Sequence, residues 1–217
     1  WVVNLGEDKD GDGLVDDWEV NGVPYTDSQG VSRRYLLDLN HDDVSDASPF
    51  RKDLFLEIDA MQLYQPERAA LRAVIEAFDR APVPAPAGVV GGLPGVALHV
   101  EVSDRDLTVR DYDDAWNDFA ADKEQWFGNY RERDEPEWPA MRQARLRAFR
   151  YCIFGRQYGT STVERASSGL AEGFGCDDFM VTIDPPDSDL AMKEDQEAGT
   201  LMHELGHALG LRHGGAD

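Results

Sequence analysis

The sequence is short of positive charge. Its 217 residues carry 21 Lys and Arg against 43 Asp and Glu, a formal net charge of −22. Such a surface repels nucleic-acid phosphates and anionic membrane faces alike. Long apolar runs are also missing, and none nears the ~20 residues that cross a bilayer. No signal peptide opens the chain, which begins Trp1-Val2-Val3 and reads as a processed product. The two cysteines, Cys152 and Cys176, are too few for a disulfide framework. Each sits in or beside an apolar run of strand character, so one bridge between neighbouring strands and two buried thiols are both open. Histidine is scarce too, at five.

Three of those five histidines fall in one short segment, His203-Glu204-Leu205-Gly206-His207-Ala208-Leu209-Gly210-Leu211-Arg212-His213, which reads H-E-x-x-H-x-x-G-x-x-H. On a helix, His203 and His207 share a face, and Glu204 lies beside it. Gly210 can end the helix in a left-handed conformation and let the chain return with His213. Three imidazoles with one open position suit a catalytic zinc, and Glu204 is placed to take a proton from a water. Leu201, Leu205, Ala208 and Leu209 form an apolar stripe expected to pack on a core.

Acidic charge is concentrated at the front, where residues 1–60 hold 15 acidic and 5 basic side chains. Within it, Asp8 to Glu19 fits D-x-D-x-D-G-x-x-D-x-x-E, a calcium-loop pattern with oxygen ligands from Asp8, Asp10, Asp12, Asp16 and Glu19, and from the Leu14 carbonyl. Glycine at the sixth position permits the sharp bend. A second stretch, Asp38 to Asp46, offers Asp38, Asn40, Asp42, the Val44 carbonyl and Asp46 at the same offsets, but has Asp43 in place of the glycine and Pro49 in place of the glutamate. This half-pattern resembles dockerin and thrombospondin type 3 loops, and a second calcium and a merely solvated loop are both open. No helix of ordinary length precedes the first loop, which argues for a structural clamp and against a regulatory EF-hand pair. His41 and His99 carry no ligand spacing and read as a loop and a strand residue.

The rest of the chain alternates strand and helix signals. Residues 53–60 and 96–102 read as strands, and Pro66 starts a helix with Leu71, Val74, Ile75 and Phe78 on one face. Residues 81–95, rich in Pro, Ala and Gly, read as a loop. Tyr112, Trp116, Phe119, Trp126 and Phe127 suggest one amphipathic helix covering the core. A helix over 136–148, a strand over 149–158, a strand over 178–184 and a zinc helix from about Glu194 complete the order. For Ser167 to Glu172 an antiparallel edge strand and a connecting loop are both open. The order predicts a mixed α/β layer with the zinc helix under the sheet.

The zinc segment resembles the signature of the metzincins, a clan of zinc proteases. More narrowly, the chain resembles secreted bacterial enzymes in which a calcium loop precedes a strand like Lys52-Asp53-Leu54-Phe55-Leu56-Glu57-Ile58-Asp59-Ala60-Met61. The likeness continues in Phe149 to Phe154 and in Thr200 through His213-Gly214-Gly215. It spans most of the chain from about Asp8. It implies an α+β or mixed α/β fold: a metzincin-like N-terminal subdomain with a twisted mixed sheet, a backing helix and the zinc-binding helix. Residues 1–50 would form the acidic calcium-binding segment and 51–217 the catalytic domain. The implied activity is hydrolysis of peptide bonds in proteins, with one zinc on His203, His207 and His213 and with Glu204 as general base toward the zinc-activated water. Calcium and an extracellular location are implied as well, and a monomer is the favoured state.

The clan also carries a methionine turn well after the third histidine. No such turn follows within these 217 residues, and Met202 lies inside the ligand-bearing helix. The C-terminal subdomain and the lower cleft wall are therefore missing from the expected fold, and these residues alone are expected to hydrolyse protein poorly. Two rival readings stay open on the sequence: a calcium-stabilised extracellular binding or adhesion module with a structural or vestigial zinc site, and an inactive fragment of a protease.

Overall fold

The computed structural model describes residues 6–183 and 190–214. The fold is mixed α/β. Its elements in chain order are α1 (Asp16–Asn21), β1 (Val23–Thr26), β2 (Ser32–Tyr35), β3 (Lys52–Ala60), α2 (Arg68–Asp79), β4 (Val96–Val102), β5 (Asp111–Tyr112), α3 (Ala115–Trp126), α4 (Tyr130–Arg133), α5 (Trp138–Arg145), β6 (Phe149–Gly155), β7 (Gln157–Tyr158), a 3₁₀ turn (Glu164–Ala166), β8 (Gly169–Ala171), β9 (Asp178–Thr182) and α6 (Leu190–Ala208). Five strands hydrogen-bond in the order β4-β3-β6-β9-β8. The sheet is mixed, since β6 and β9 run parallel while β8 and β9 run antiparallel. No helix among the described residues is long and apolar enough to cross a membrane.

Eight consecutive residues of β3, Asp53–Ala60, are buried. A strand covered on both faces needs a near-continuous apolar run rather than strict alternation, and the run here is interrupted only by carboxylates that find partners. On α2, Ala70, Val74 and Phe78 are buried at helical spacing while the intervening charged residues face water. The loop expected over 81–95 and the strand over 96–102 are present.

The chain gathers into two compact units. The first comprises the N-terminal residues through Leu56 with Ile75–Glu101 and Arg131–Phe149. In it β1 and β2 form an antiparallel hairpin, with Val23 opposite Tyr35 and Thr26 opposite Ser32. The turn is held by Asp27, whose carboxylate accepts the amides of Gln29 and Val31 at 3.0 and 2.7 Å. Arg145 at the end of α5 is fully buried. Its guanidinium donates to Glu101 at 2.6 Å, to Glu132 at 3.2 Å and to the Tyr35 hydroxyl, and lies 3.8 Å above the Phe149 ring. A cation can be buried only with partners of this kind.

The second unit comprises Glu57–Val74, Val102–Tyr130 and the residues from Arg150 onward. Here Phe119 and Phe127 meet Tyr151 edge-on, with ring centroids 5.5 and 5.4 Å away. The Tyr151 hydroxyl donates to Asp59 at 2.5 Å, and the same carboxylate accepts the Ser103 hydroxyl and the Asp104 amide at 2.9 Å each. Beneath β8 and β9 lies α6, on which Leu201, Leu205 and Ala208 are buried.

Several boundaries differ from those the sequence suggests. Tyr112 lies in β5 and Phe127 just past α3, so the aromatic series is buried but not on one helix. The helix expected over 136–148 is the shorter α5, preceded by α4. The strand expected over 149–158 breaks at Arg156 into β6 and β7, and β7 pairs with β5 instead of extending the sheet. Within the described residues α6 is already helical at Leu190, four residues before Glu194. Leu209 is 43% exposed because it falls beyond the last helical turn. β9 ends at Thr182, and Asp184 lies outside the described residues. Cys152 and Cys176 are both free thiols, which resolves that pair against a bridge.

Candidate metal centres

The C-terminal end of α6 shows why the histidine spacing matters. The Gly210 amide donates to the His207 carbonyl at 2.8 Å, and the Leu211 amide to the Gly206 carbonyl at 2.9 Å. This pair of bonds with Gly210 at φ +88° is a Schellman stop. The chain reverses, and His213 arrives opposite the helical pair. The three Nε2 atoms lie 3.1, 3.0 and 2.9 Å from one another. His207 Nδ1 sits 2.8 Å from the Leu211 carbonyl. A neutral imidazole that donates from Nδ1 leaves a lone pair on Nε2. That lone pair meets two further ring nitrogens at contact distance, and a cation among the three removes the repulsion. The donor set of three imidazoles with one side open matches zinc and its neighbours in the transition series.

Glu204 is buried at the side of this cluster. Burial pushes its carboxyl above the ordinary range, while His207, the Ala171 amide and His213 pull it back down. The Ala171 amide belongs to β8, which pairs with β9 on one side, Gly169 opposite Val181 and Ala171 opposite Phe179. β8 is the last strand in its sheet, so of the two readings open for 167–172 the structure has the antiparallel edge strand. It passes very close to α6. A Cβ on Gly169 would stand 2.7 Å from both Cγ and Oε1 of Glu204 and 2.8 Å from Cγ2 of Thr200. Any larger residue there would force Glu204 or Thr200 to shift. A cleft of about 400 Å³ is lined by this strand, Tyr158, Phe174, the three histidines and Glu204. Phe174 stands edge-on to His207 at 5.3 Å. Gly169 and Ala171 belong to the stretch for which the sequence left an edge strand and a loop open, whereas nothing in the sequence marked Phe174 as a neighbour of the histidines, because such packing is not written in spacing.

The second cluster lies in the other unit. Asp10, Asp12, Glu19 and Asp53 offer carboxylate oxygens that all lie within 4.8 Å of one another. Asp10, Glu19 and Asp53 are buried, and both Glu19 oxygens and Oδ2 of Asp10 have no hydrogen-bond partner. Burial, reinforced by the neighbouring carboxylates, pushes Glu19 up to about 9, Asp10 to about 7 and Asp12 to about 6. Four acids held this close, with the Lys52 ammonium beside them, could hold a hard cation by the chemistry of their donors.

Of the residues expected to ligate from the loop pattern, Asp10, Asp12 and Glu19 are in this cluster, while Asp8 and Asp16 are not. Asp8 accepts the Gly11 and Gly13 amides at 2.7 and 3.2 Å, and Asp16 accepts the Lys9 amide at 2.9 Å and pairs with its ammonium group. Gly13 makes the expected bend at φ +102°. Leu14 is buried, and its amide donates to Asp12 at 2.7 Å.

The second loop folds as a copy of the first. Asp38 accepts the amides of Asp42 and Asp43, Asp42 accepts that of Val44, and Asp46 accepts that of Leu39. The Asp46 amide bonds the Leu37 carbonyl as the Asp16 amide bonds the Glu7 carbonyl. His41 and Asp43 take the positive φ values, +59° and +65°, that Gly11 and Gly13 take in the first loop. Asn40 donates to Asp46 at 3.1 Å. Among the described residues the second loop's acids do not gather into a cluster of their own. Compared with protein-family models, with curated proteins and with solved structures, the chain matches none.

Proposed function

We propose that this chain acts as a secreted zinc-dependent endopeptidase of metzincin type that hydrolyses peptide bonds in proteins. One observation carries the reading: three imidazole nitrogens converge within 3.1 Å beside a buried carboxylate, in a cleft bordered by an edge strand. His203, His207 and His213 would hold the metal. Bound there, zinc supplies Lewis acidity, polarising a carbonyl and acidifying a water to a pKa of about 7.

The chain's own groups do the rest. Glu204, raised in basicity by burial, takes the proton from the attacking water and returns it to the departing amine. The amide of Ala171 donates to its carboxylate and orients it. The outer edge of β8 offers backbone groups with which an extended peptide pairs as an added strand. His207 is oriented from behind by the Leu211 carbonyl, as metal-ligating histidines generally are.

The acidic cluster at Asp10, Asp12 and Glu19 is read as a structural calcium site, and millimolar extracellular calcium would keep even a weak one filled. The second loop, at Asp38, Asn40, Asp42, Val44 and Asp46, is read as a weaker site of the same type. The test is a comparison of wild type and Glu204→Ala by metal analysis and casein hydrolysis, both proteins prepared without chelator. The expected result is equal zinc content and a loss of at least about 10²-fold in rate, the scale of general-base catalysis. Absence of a transition metal from the wild type, or retained hydrolysis in the variant, refutes the proposal.

A further inference from the structure

The pattern from Asp8 to Glu19 describes a loop that carries all its own ligands. The structure brings a different set together. Asp53, the second residue of β3 and 34 positions after Glu19, enters the cluster, while the loop's first and ninth residues stay outside it. We propose that the cation of the N-terminal loop is a calcium-class divalent ion ligated jointly by Asp10, Asp12, Glu19 and Asp53, so that it fastens the loop to the first residues of the central strand. This rests on the calcium reading above and changes its ligand set.

Three observations support it. The first is the group of orphan acceptors: Glu19 is fully buried with both oxygens unpartnered, and Asp10 is 5% exposed with one. Buried acceptors without partners are rare in stable proteins and call for an ion or a donor. The nearby Lys52 ammonium donates to the carbonyl oxygens of Asp10 and Gly11, and that of Lys9 pairs with Asp16 and Glu7, so neither is hydrogen-bonded to these orphan oxygens.

The second is that loop and strand are joined around the cluster by bonds that leave the carboxylates facing inward. The Asp53 amide donates to Oδ2 of Asp12 at 2.6 Å, while the Lys52 ammonium grips the loop from the next residue. The third is the surroundings of Asp53 itself. Its Oδ1 lies 2.6 Å from Nε2 of His99, and its Oδ2 accepts the Ser48 amide at 2.7 Å. The His99 ring is in turn stacked on Phe55 at 4.4 Å. An ion-binding carboxylate is commonly oriented by such outer contacts, which leave further lone pairs for the ion. All donors are oxygens and the formal charge is high, so a hard ion with flexible coordination fits better than a transition metal.

The experiment is calcium titration by calorimetry on the full chain after treatment with a calcium-selective chelator, with Asp53→Asn, Asp16→Asn and His99→Gln beside wild type. Affinity falls by at least about tenfold in Asp53→Asn and stays within about threefold in Asp16→Asn, since ligand charge count sets affinity in such sites. His99→Gln, which removes an outer contact and keeps the carboxylate, stays closer to wild type than Asp53→Asn does.

Should Asp53→Asn not fold, hydrogen exchange on wild type decides instead: calcium protects the amides of residues 52–56 together with those of 8–19. Wild-type affinity in a folded Asp53→Asn, a larger loss in Asp16→Asn, or protection confined to 8–19 overturns the shared site and leaves a loop-only calcium site. Absence of calcium binding to wild type overturns the calcium reading as a whole.

Discussion

Gly169→Ala is the sharpest perturbation of the candidate catalytic arrangement, because it adds one methyl and touches no ligand. The new Cβ would stand 2.7 Å from Cγ and Oε1 of Glu204, against an ordinary contact that starts at 3.4 Å. Something must yield by about 0.7 Å, and the strand is the stiffer party. Ser168 accepts the Thr182 amide at 2.7 Å, Gly169 pairs with Val181, and the Gly169 carbonyl accepts the Tyr158 and Ser167 hydroxyls at 3.2 and 3.0 Å. The Glu204 side chain is held by fewer bonds and therefore gives way.

A displacement of about 1 Å at a reacting group costs on the order of 10²-fold in rate, so kcat on casein should fall by about 10- to 100-fold. Overpacking of this kind also costs about 1–3 kcal/mol of stability, which corresponds to a Tm lower by about 2–12 °C in a chain of this size. Assays at 25 °C, with zinc content and Tm measured on the same preparation, separate the two effects. A variant that keeps its zinc and its kcat would show that Glu204 is not positioned by the edge strand. A variant that loses zinc would show that the strand supports the ligands and not the base.

Three further outcomes are expected. His213→Ala should weaken zinc binding by more than the 10- to 100-fold typical of an outer-shell partner, read from competition with a chromogenic chelator, while equal affinity would mean that only the helical pair binds. Adding calcium at about 100 times its dissociation constant should stabilise the calcium-free protein by about 2.7 kcal/mol, or about 5–10 °C in Tm, and an unchanged Tm refutes the clamp. Burial pushes Asp59 up to about 6 despite its bonds from Tyr151, Asp104 and Ser103; a carboxyl raised above its unfolded value near 3.9 contributes stability that is full below pH 4 and lost as pH rises through 6. Urea unfolding in saturating calcium should show that loss in wild type and a flatter profile in Asp59→Asn, and identical profiles would refute it.

The histidine centre was legible because its geometry is local. Two imidazoles a helical turn apart, a glycine that stops the helix and a third imidazole three residues later are all written in one short segment, and Gly210 takes the left-handed conformation that its position requires. The β1–β2 hairpin was not legible. Its strands are four residues each, one contains Pro24 and the other exposes Arg33 and Arg34, so neither shows the alternation by which strands are read. The break at Arg156 was hidden for a related reason: an apolar run tells that a strand exists but not where it changes partner.

β3 explains why the acidic cluster was read only in part. The strand carries Asp53, Glu57 and Asp59, and all three are buried. The three sit at alternate positions and so share one face of the strand, and because β3 is covered on both faces, alternation cannot tell their roles apart. Their roles differ because of what the fold sets against each. Asp59 meets Tyr151, Ser103 and Asp104, and Glu57 meets Ser103 and the Gly128 amide at 2.9 and 2.7 Å. Asp53 meets His99, Ser48 and three further acids. Asp59 and Glu57 are faced by donors, whereas Asp53 is faced by donors and by other carboxylates as well. That difference depends on the partners that the fold supplies, which is why a loop pattern that names Asp10, Asp12 and Glu19 does not name Asp53 beside them.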